Sequence, residues 1–171
     1  SEVDMNREAH HQRELVSLLD TLIEQWENEV VEFKQAGRDY PTDKIGAYFS
    51  ALANEAHLRG REQAWLVFGV QDKTRRVMGS DYRPEPERLQ STKMQMAENT
   101  GPCVTFRNIH ELVHPDGRVL FFEIPAAPRG MPIAWKGHYY ARAGESLTHL
   151  GLDKLDAIRQ QQAQAVAGLA L

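Results

Sequence analysis

The sequence predicts a single α+β domain with a mixed β-sheet packed by helices. Three observations carry that expectation. Apolar positions recur at helical spacing in four segments, and seven shorter stretches between them alternate or run apolar over strand length. The resulting order, α-β-α-β-β-α-β-β-β-β-α, is neither a regular βαβ alternation nor a run of strands alone. A chain of 171 residues, 42% apolar and 26% charged, can bury one core and is short for two.

The elements follow in order. Residues 7–26 put Leu15, Leu18, Leu19, Leu22, Ile23 and Trp26 on one helical face. Glu29–Lys34 then switches to period two, with Val31 and Phe33 on one side and Glu32 and Lys34 on the other. Gly37 and Pro41 mark a loop before a second helix, capped by Thr42 or Asp43 and carrying Ile45, Tyr48, Phe49, Leu52 and Ala53. Asn54 falls where it would cap the end of that helix. Ala64–Val70 is unbroken and apolar, as expected of a central strand buried on both faces. A short strand at Arg76–Gly79 is expected to pair back across the Asp72–Arg75 turn. Residues 85–98, opened by Pro84 and Pro86, read as a third helix. Strands at 103–113 and 118–125 are joined by the turn His114-Pro115-Asp116-Gly117. A ribbon of Pro132–Trp135 and Tyr139–Ala143 precedes a closing helix over 151–165. The alanine-rich tail Ala163–Leu171 has the composition of an interface helix or of the cut edge of a longer chain.

Composition narrows the functional classes. One cysteine, Cys103, allows no internal disulfide and reads as a small core residue in a reducing compartment. No apolar run reaches the roughly 20 residues of a membrane-spanning helix, and the polar N-terminus has no secretory pattern. The expected location is cytoplasmic, with no membrane partner. Residues 1–4 precede Met5 and read as a cloning scar. The net charge of −4 at first opposes a nucleic-acid partner. Yet residues 1–34 hold nine acids and three bases, residues 35–148 thirteen acids and fifteen bases, and residues 149–171 are neutral. The middle of the chain can therefore present a basic face.

His110-Glu111-Leu112-Val113-His114 spells a zinc-protease string, which needs both histidines on one helical turn. The flanking alternation and the turn at Pro115 put it on a strand, where the two would stand about 13 Å apart. The zinc-protease reading is rejected. The common Gly-rich phosphate cradles are absent from the sequence. Glu27, Glu32 and Asp72 fall at element boundaries. Three carboxylates converging there would suit Mg²⁺ or Mn²⁺, with Lys34 beside Glu32 to orient a water or stabilise charge. Scattered surface carboxylates have the same spacing.

Four ordered blocks carry a resemblance. Glu27-Asn28-Glu29-Val30-Val31-Glu32-Phe33-Lys34 is similar to an opening E-s-x-x-x-E-F-K signature, and Ser50-Ala51-Leu52-Ala53-Asn54 to S-A-x-A-N. Phe68-Gly69-Val70-Gln71-Asp72 with Val77-Met78-Gly79 resembles G-V-x-D followed by v-x-G, and 139–148 resembles Y-x-R-x-G-s-x-T. Together they resemble the Schlafen-type AlbA-like domain, also called the divergent AAA, DNA-binding domain family. The domain would occupy residues 27–150, between an N-terminal helix over 1–26 and a closing helix and tail over 151–171. Where the family usually has Gly-Gly after the asparagine, this chain carries Glu55–Gln63, so the following loop differs.

The resemblance implies a nucleic-acid-binding domain of a transcriptional regulator, its partner DNA or RNA. Arg59, Arg61, Lys73, Arg75, Arg76 and Arg142 are the candidate phosphate contacts, with an ion pair equally open for Arg142. It also implies an alternative: in Schlafen relatives three acids cleave RNA, and carried over they fall on Glu27, Glu32 and Asp72, which would make a metal-dependent ribonuclease using Mg²⁺ or Mn²⁺. A third reading, an oligomerisation module, rests on the apolar tail and would make the protein a homo-oligomer.

Overall fold

Residues 1–25, 30–144 and 146–170 are described by a computed structural model of the chain, with side-chain surroundings in the last helix given as far as Gln161. The expected core residue Trp26 and the apolar tail beyond Ala163 lie outside the described side chains. Helix α1, Glu2–Glu24, starts earlier than the apolar repeat because Ser1 Oγ accepts from the Asp4 N–H at 3.3 Å. Glu2 and Asp4 add negative charge at the positive end of the helix dipole. Leu15, Leu19 and Leu22 are its buried side chains.

Strand β1, Val31–Lys34, runs parallel to β2, Gln63–Phe68, and helix α2, Thr42–Leu58, connects them. After helix α3, Pro86–Asn99, come β3, Thr100–Gly101, β4, Asn108–His114, and β5, Gly117–Pro125. They are followed by β6, Ala134–Trp135, β7, His138–Ala143, β8, Ser146–His149, and helix α4, Leu152–Ala170. Two sheets result, ordered β1-β2-β5-β4 and β3-β6-β7-β8. The first is mixed, through the one parallel pair, as the α+β reading requires.

Period-two alternation sorts the first sheet into two faces. Val31, Phe33, Trp65 and Val67 pack against the leucines of α1. Leu66, Phe68, Leu120 and Phe122 pack with Phe49 and Leu52 of α2 and Leu89 and Met96 of α3. Helix α2 is buried from Ile45 to Asn54 without a break, because the second sheet covers its other side. That side is a stripe of small residues four apart, Gly46, Ser50 and Asn54. A Cβ at Gly46 would overlap the Trp135 ring. Ser50 Oγ donates to the Ile133 carbonyl (2.7 Å) and accepts from the Tyr140 N–H (3.0 Å). Asn54 Nδ2 donates to the Ile133 carbonyl at 3.0 Å, and its Oδ1 accepts from the Ile133 N–H at 2.8 Å. Asn54 is therefore no helix cap: it lies inside α2 and fastens the second sheet to it.

Several boundaries differ from expectation for local reasons. The expected strand at Arg76–Gly79 reduces to one bridge, Val70 to Val77. Gly69 (φ 98°) turns the chain, and Gly79 (φ 84°) crosses the start of β5 so closely that a Cβ on Gly117 would stand 2.5 Å from Gly79 Cα. The expected strand at 103–113 starts at Asn108 instead. Thr100 pairs in the other sheet, and Thr105 Oγ1 donates to the Lys93 carbonyl in the middle of α3. Cys103 is exposed rather than core. Strand β8 was unforeseen. His110 and His114 do lie on β4, as the strand reading required.

Strand β4 is the open edge of the first sheet, and α1 covers it. Gln12 Nε2 donates to the Glu111 carbonyl (3.0 Å) and Gln12 Oε1 accepts from the Val113 N–H (2.9 Å), occupying the ladder positions of a further strand. His110 sits beneath, its ring 5.4 Å from His11 and its Nε2 3.7 Å from Glu123.

Two predictions follow from this packing. Asn54→Ala leaves the buried Ile133 N–H without its partner, while Ser50 still serves the carbonyl, and should cost about 1–3 kcal/mol in urea unfolding. A loss below about 0.5 kcal/mol would show that the bracket contributes nothing. Burial pushes the His110 imidazole below its ordinary value against the pull of Glu123. The unfolded chain then takes up a proton that the folded chain refuses. This share of stability is full above about pH 6.5 and lost as pH falls toward the folded value. His110→Gln should lose less stability than the parent between neutral pH and about pH 5. Equal losses would contradict it.

Candidate nucleic-acid interface

Glu32 points from β1 toward α2 and is 3% exposed. Arg142 of β7 meets it there, with Nη1 2.7 Å from Glu32 Oε2 and 2.7 Å from the Val31 carbonyl. The other edge of the guanidinium grips Glu55 of α2, Nε to Oε2 at 2.8 Å and Nη2 to Oε1 at 3.0 Å. Burial would lower the Arg142 pKa, but the two carboxylates outweigh it and raise it. Lys34 Nζ lies 3.1 Å from Glu32 Oε1, an ion-pair distance, although no hydrogen bond reaches that oxygen. The ammonium also sits 5.0 Å from the Tyr48 ring centre. Burial would push Lys34 down, yet the Tyr48 hydroxyl and Glu32 hold it above its ordinary value. Tyr40 nearby is pushed up to about 12, first by burial. Glu55 and Tyr48 were not singled out from the sequence. The position of Glu55, where the family usually has glycine, is the signal that could have found it.

Asp72 lies in the turn after β2. Its Oδ1 is 2.6 Å from Arg75 Nη1, and the Arg75 guanidinium lies 4.4 Å over the Phe33 ring. Phe33 belongs to the α1 face of the first sheet and Glu32 to the α2 face. The two acids are thus tied to opposite sides of β1. Glu27, the third acid of the set, lies outside the described residues. Among the described residues no three His, Cys, Asp or Glu side chains gather as a metal-binding group. As arranged, Arg142 holds Glu32 Oε2 and Arg75 holds Asp72 Oδ1, so a cation shared by the two acids would meet a guanidinium at each.

The basic residues fall into three places. Arg142 is inside, with four N–H contacts to Val31, Glu32 and Glu55. Arg59 and Arg61 are exposed before the N-terminal end of β2, with Arg59 3.4 Å from Glu55. Lys73, Arg75 and Arg76 lie beyond its C-terminal end, Lys73 and Arg76 exposed. Six residues of strand separate the two outer groups by about 20 Å. At the second end a groove of about 400 Å³ opens between β1 and the Asp72 turn, lined by Phe33, Lys34, Gln35, Gln71, Asp72 and Lys73. Arg38, exposed in the loop after β1, stands at the same end and was not among the sequence candidates.

Arg142→Met should cost about 3–5 kcal/mol in denaturant unfolding, since it strands two partly or fully buried carboxylates. Adding Glu32→Gln should recover part of that loss, and strictly additive losses would refute the coupling.

No curated protein matches the sequence. Among solved structures, the DIP2311 protein from Corynebacterium diphtheriae is 20% identical with a TM-score of 0.56, over 80% of this chain and 24% of that one. This chain thus spans about a quarter of that protein's length, and the likeness is one of fold. The N-terminal domain of a RecG-related protein from Nitrosomonas europaea is 21% identical with a TM-score of 0.49, over 80% of this chain and 92% of that one. The family model described as Schlafen, AlbA_2 matches residues 27–151. The chain belongs to the Schlafen AlbA_2 family.

Proposed function

We propose that this chain is a nucleic-acid-binding domain serving a transcriptional regulator, and that it holds a phosphodiester backbone across the carboxyl ends of β1 and β2. The observation that carries the reading is the groove joining Lys34 to Lys73, with Arg38 and Arg76 exposed around it. Ligands of open α/β sheets settle outside the carboxyl ends of parallel strands, where the loops diverge. The same end receives the N-terminus of α2, whose dipole favours negative charge. Arg75 offsets the charge of Asp72 within the groove. Family membership supports the same partner class. A ribonuclease would need Glu32 for a metal, whereas here that carboxylate meets Arg142 and Lys34. Arg59 and Arg61, at the other end of β2, are outside this contact.

Binding should weaken steeply with salt, read by fluorescence anisotropy of labelled single- and double-stranded oligonucleotides. Lys73→Ala and Arg76→Ala should each flatten the log–log salt slope by about 0.7–0.9. No binding of DNA or RNA at low salt would overturn the reading.

A further inference from the structure

A second cavity lies beside the N-terminus of α2, about 270 Å³ in volume and lined by Asp43, Trp135, Lys136, His138 and Tyr140. We infer that it receives one unpaired base of a nucleic-acid strand, a base carrying an exocyclic amine. The inference rests on the phosphate-binding role proposed for the neighbouring groove.

Ring geometry is the first support. His138 and Tyr140 are two apart on β7 and share a face, their ring centres 6.3 Å apart. His149 stands opposite Tyr140 in register on β8, 6.3 Å away and within 18° of parallel. His138 is tilted 57° to Tyr140; both imidazoles are exposed and Tyr140 is half-buried, so the row of rings reaches the surface. Sheet-borne aromatic rows of this kind stack bases independently of sequence.

Polar chemistry is the second. Asp43 Oδ1 accepts from Trp135 Nε1 at 3.1 Å and lies 2.8 Å from Lys136 Nζ. Those two partners hold the carboxyl below its usual range, so it is ionised at neutral pH. With 69% of the side chain exposed, Oδ2 remains open to an incoming N–H donor. A carboxylate accepts from the amine of cytosine or adenine and meets only carbonyls and one imino N–H on thymine. Lys136 supplies a cation for the adjoining phosphate. It is presented by a tight β6–β7 turn in which Lys136 (φ 48°) and Gly137 (φ 81°) both take the left-handed region.

Placement is the third. β1 ends and α2 begins at the same end of the domain, so a strand whose phosphates lie in the Lys34–Lys73 groove has this cavity within reach across the α2 N-terminus.

The test compares labelled oligo(dC) and oligo(dT) by anisotropy at one fixed pH over a range of salt concentrations. The double variant His138→Ala/His149→Ala should weaken oligo(dC) binding about five-fold or more without changing its salt slope. Asp43→Ala should abolish a preference for oligo(dC) over oligo(dT). Lys136→Asn, which suits the turn better, should fold normally and bind more weakly with a flatter slope. If the parent binds and the histidine variant binds equally well, the base pocket is wrong and the phosphate groove stands. If the parent shows no preference between the two oligonucleotides, the role of Asp43 is wrong. If the parent binds neither, both readings fall.

Discussion

The fold hangs on one guanidinium. Arg142 ties β1 through Glu32 and the Val31 carbonyl, and ties α2 through both oxygens of Glu55. One strand from each sheet and the helix between them meet at that point. A charge group this deep is stable only when every partner is present, so the second sheet has one seating depth on α2. Ser50 and Asn54 fix the same depth through backbone hydrogen bonds, and Gly46 fixes it through the Trp135 ring. Because β7 runs alongside α2, locking its Arg142 end also sets where His138 and Tyr140 stand at the other.

This lock changes the meaning of Glu32. The family resemblance implies an acid available to a metal, whereas here one carboxylate oxygen is bound to Arg142 and the other faces Lys34. Releasing it would leave Arg142 partly unpaired in a site 12% exposed to water. That cost opposes a rearrangement within this arrangement of side chains. Cations at the rim need no such rearrangement. Lys73, Arg76 and Arg38 are exposed in the loops beyond the carboxyl ends of β1 and β2, which is what supports the proposed phosphate contact.

Much of the architecture was legible because it follows from periodicity. The α1 leucines, the alternation of Glu32 and Phe33, and the unbroken Ala64–Phe68 run each sit where spacing put them. The four family blocks were legible as strings but not as mechanism. Ser-Ala-x-Ala-Asn is a docking stripe, its Asn54 reading as a cap until the second sheet is in view. The Gly69 and Gly79 positions serve a backbone crossing over β5, a contact 38 or more residues distant in sequence that no local pattern encodes. The candidate basic set divided for the same reason. Arg59 and Lys73 are close in sequence yet lie beyond opposite ends of β2, while Arg142 is drawn inside by acids from elements far from it.

Backbone strain points to the same end of the domain as the chemistry. Among the described residues, four non-glycine positions have positive φ: Ala36, Arg75, Arg83 and Lys136. Ala36 follows β1, and Arg75 closes the Asp72 turn. Arg83 Nη2 reaches Thr42 at the start of α2 (3.4 Å), and Lys136 pairs with Asp43 one residue on. Each such conformation costs on the order of 1–3 kcal/mol and persists only where surroundings over-determine it. At Lys136 the turn would form more easily with asparagine or glycine, so the ammonium is kept against the preference of the backbone. Three of the four residues are cationic: Arg75 pairs with Asp72, Lys136 pairs with Asp43, and Arg83 is buried against α3. The exposed cations at that end are Arg38, Lys73 and Arg76, and under the proposed function it is there that a chain of net charge −4 meets a phosphate.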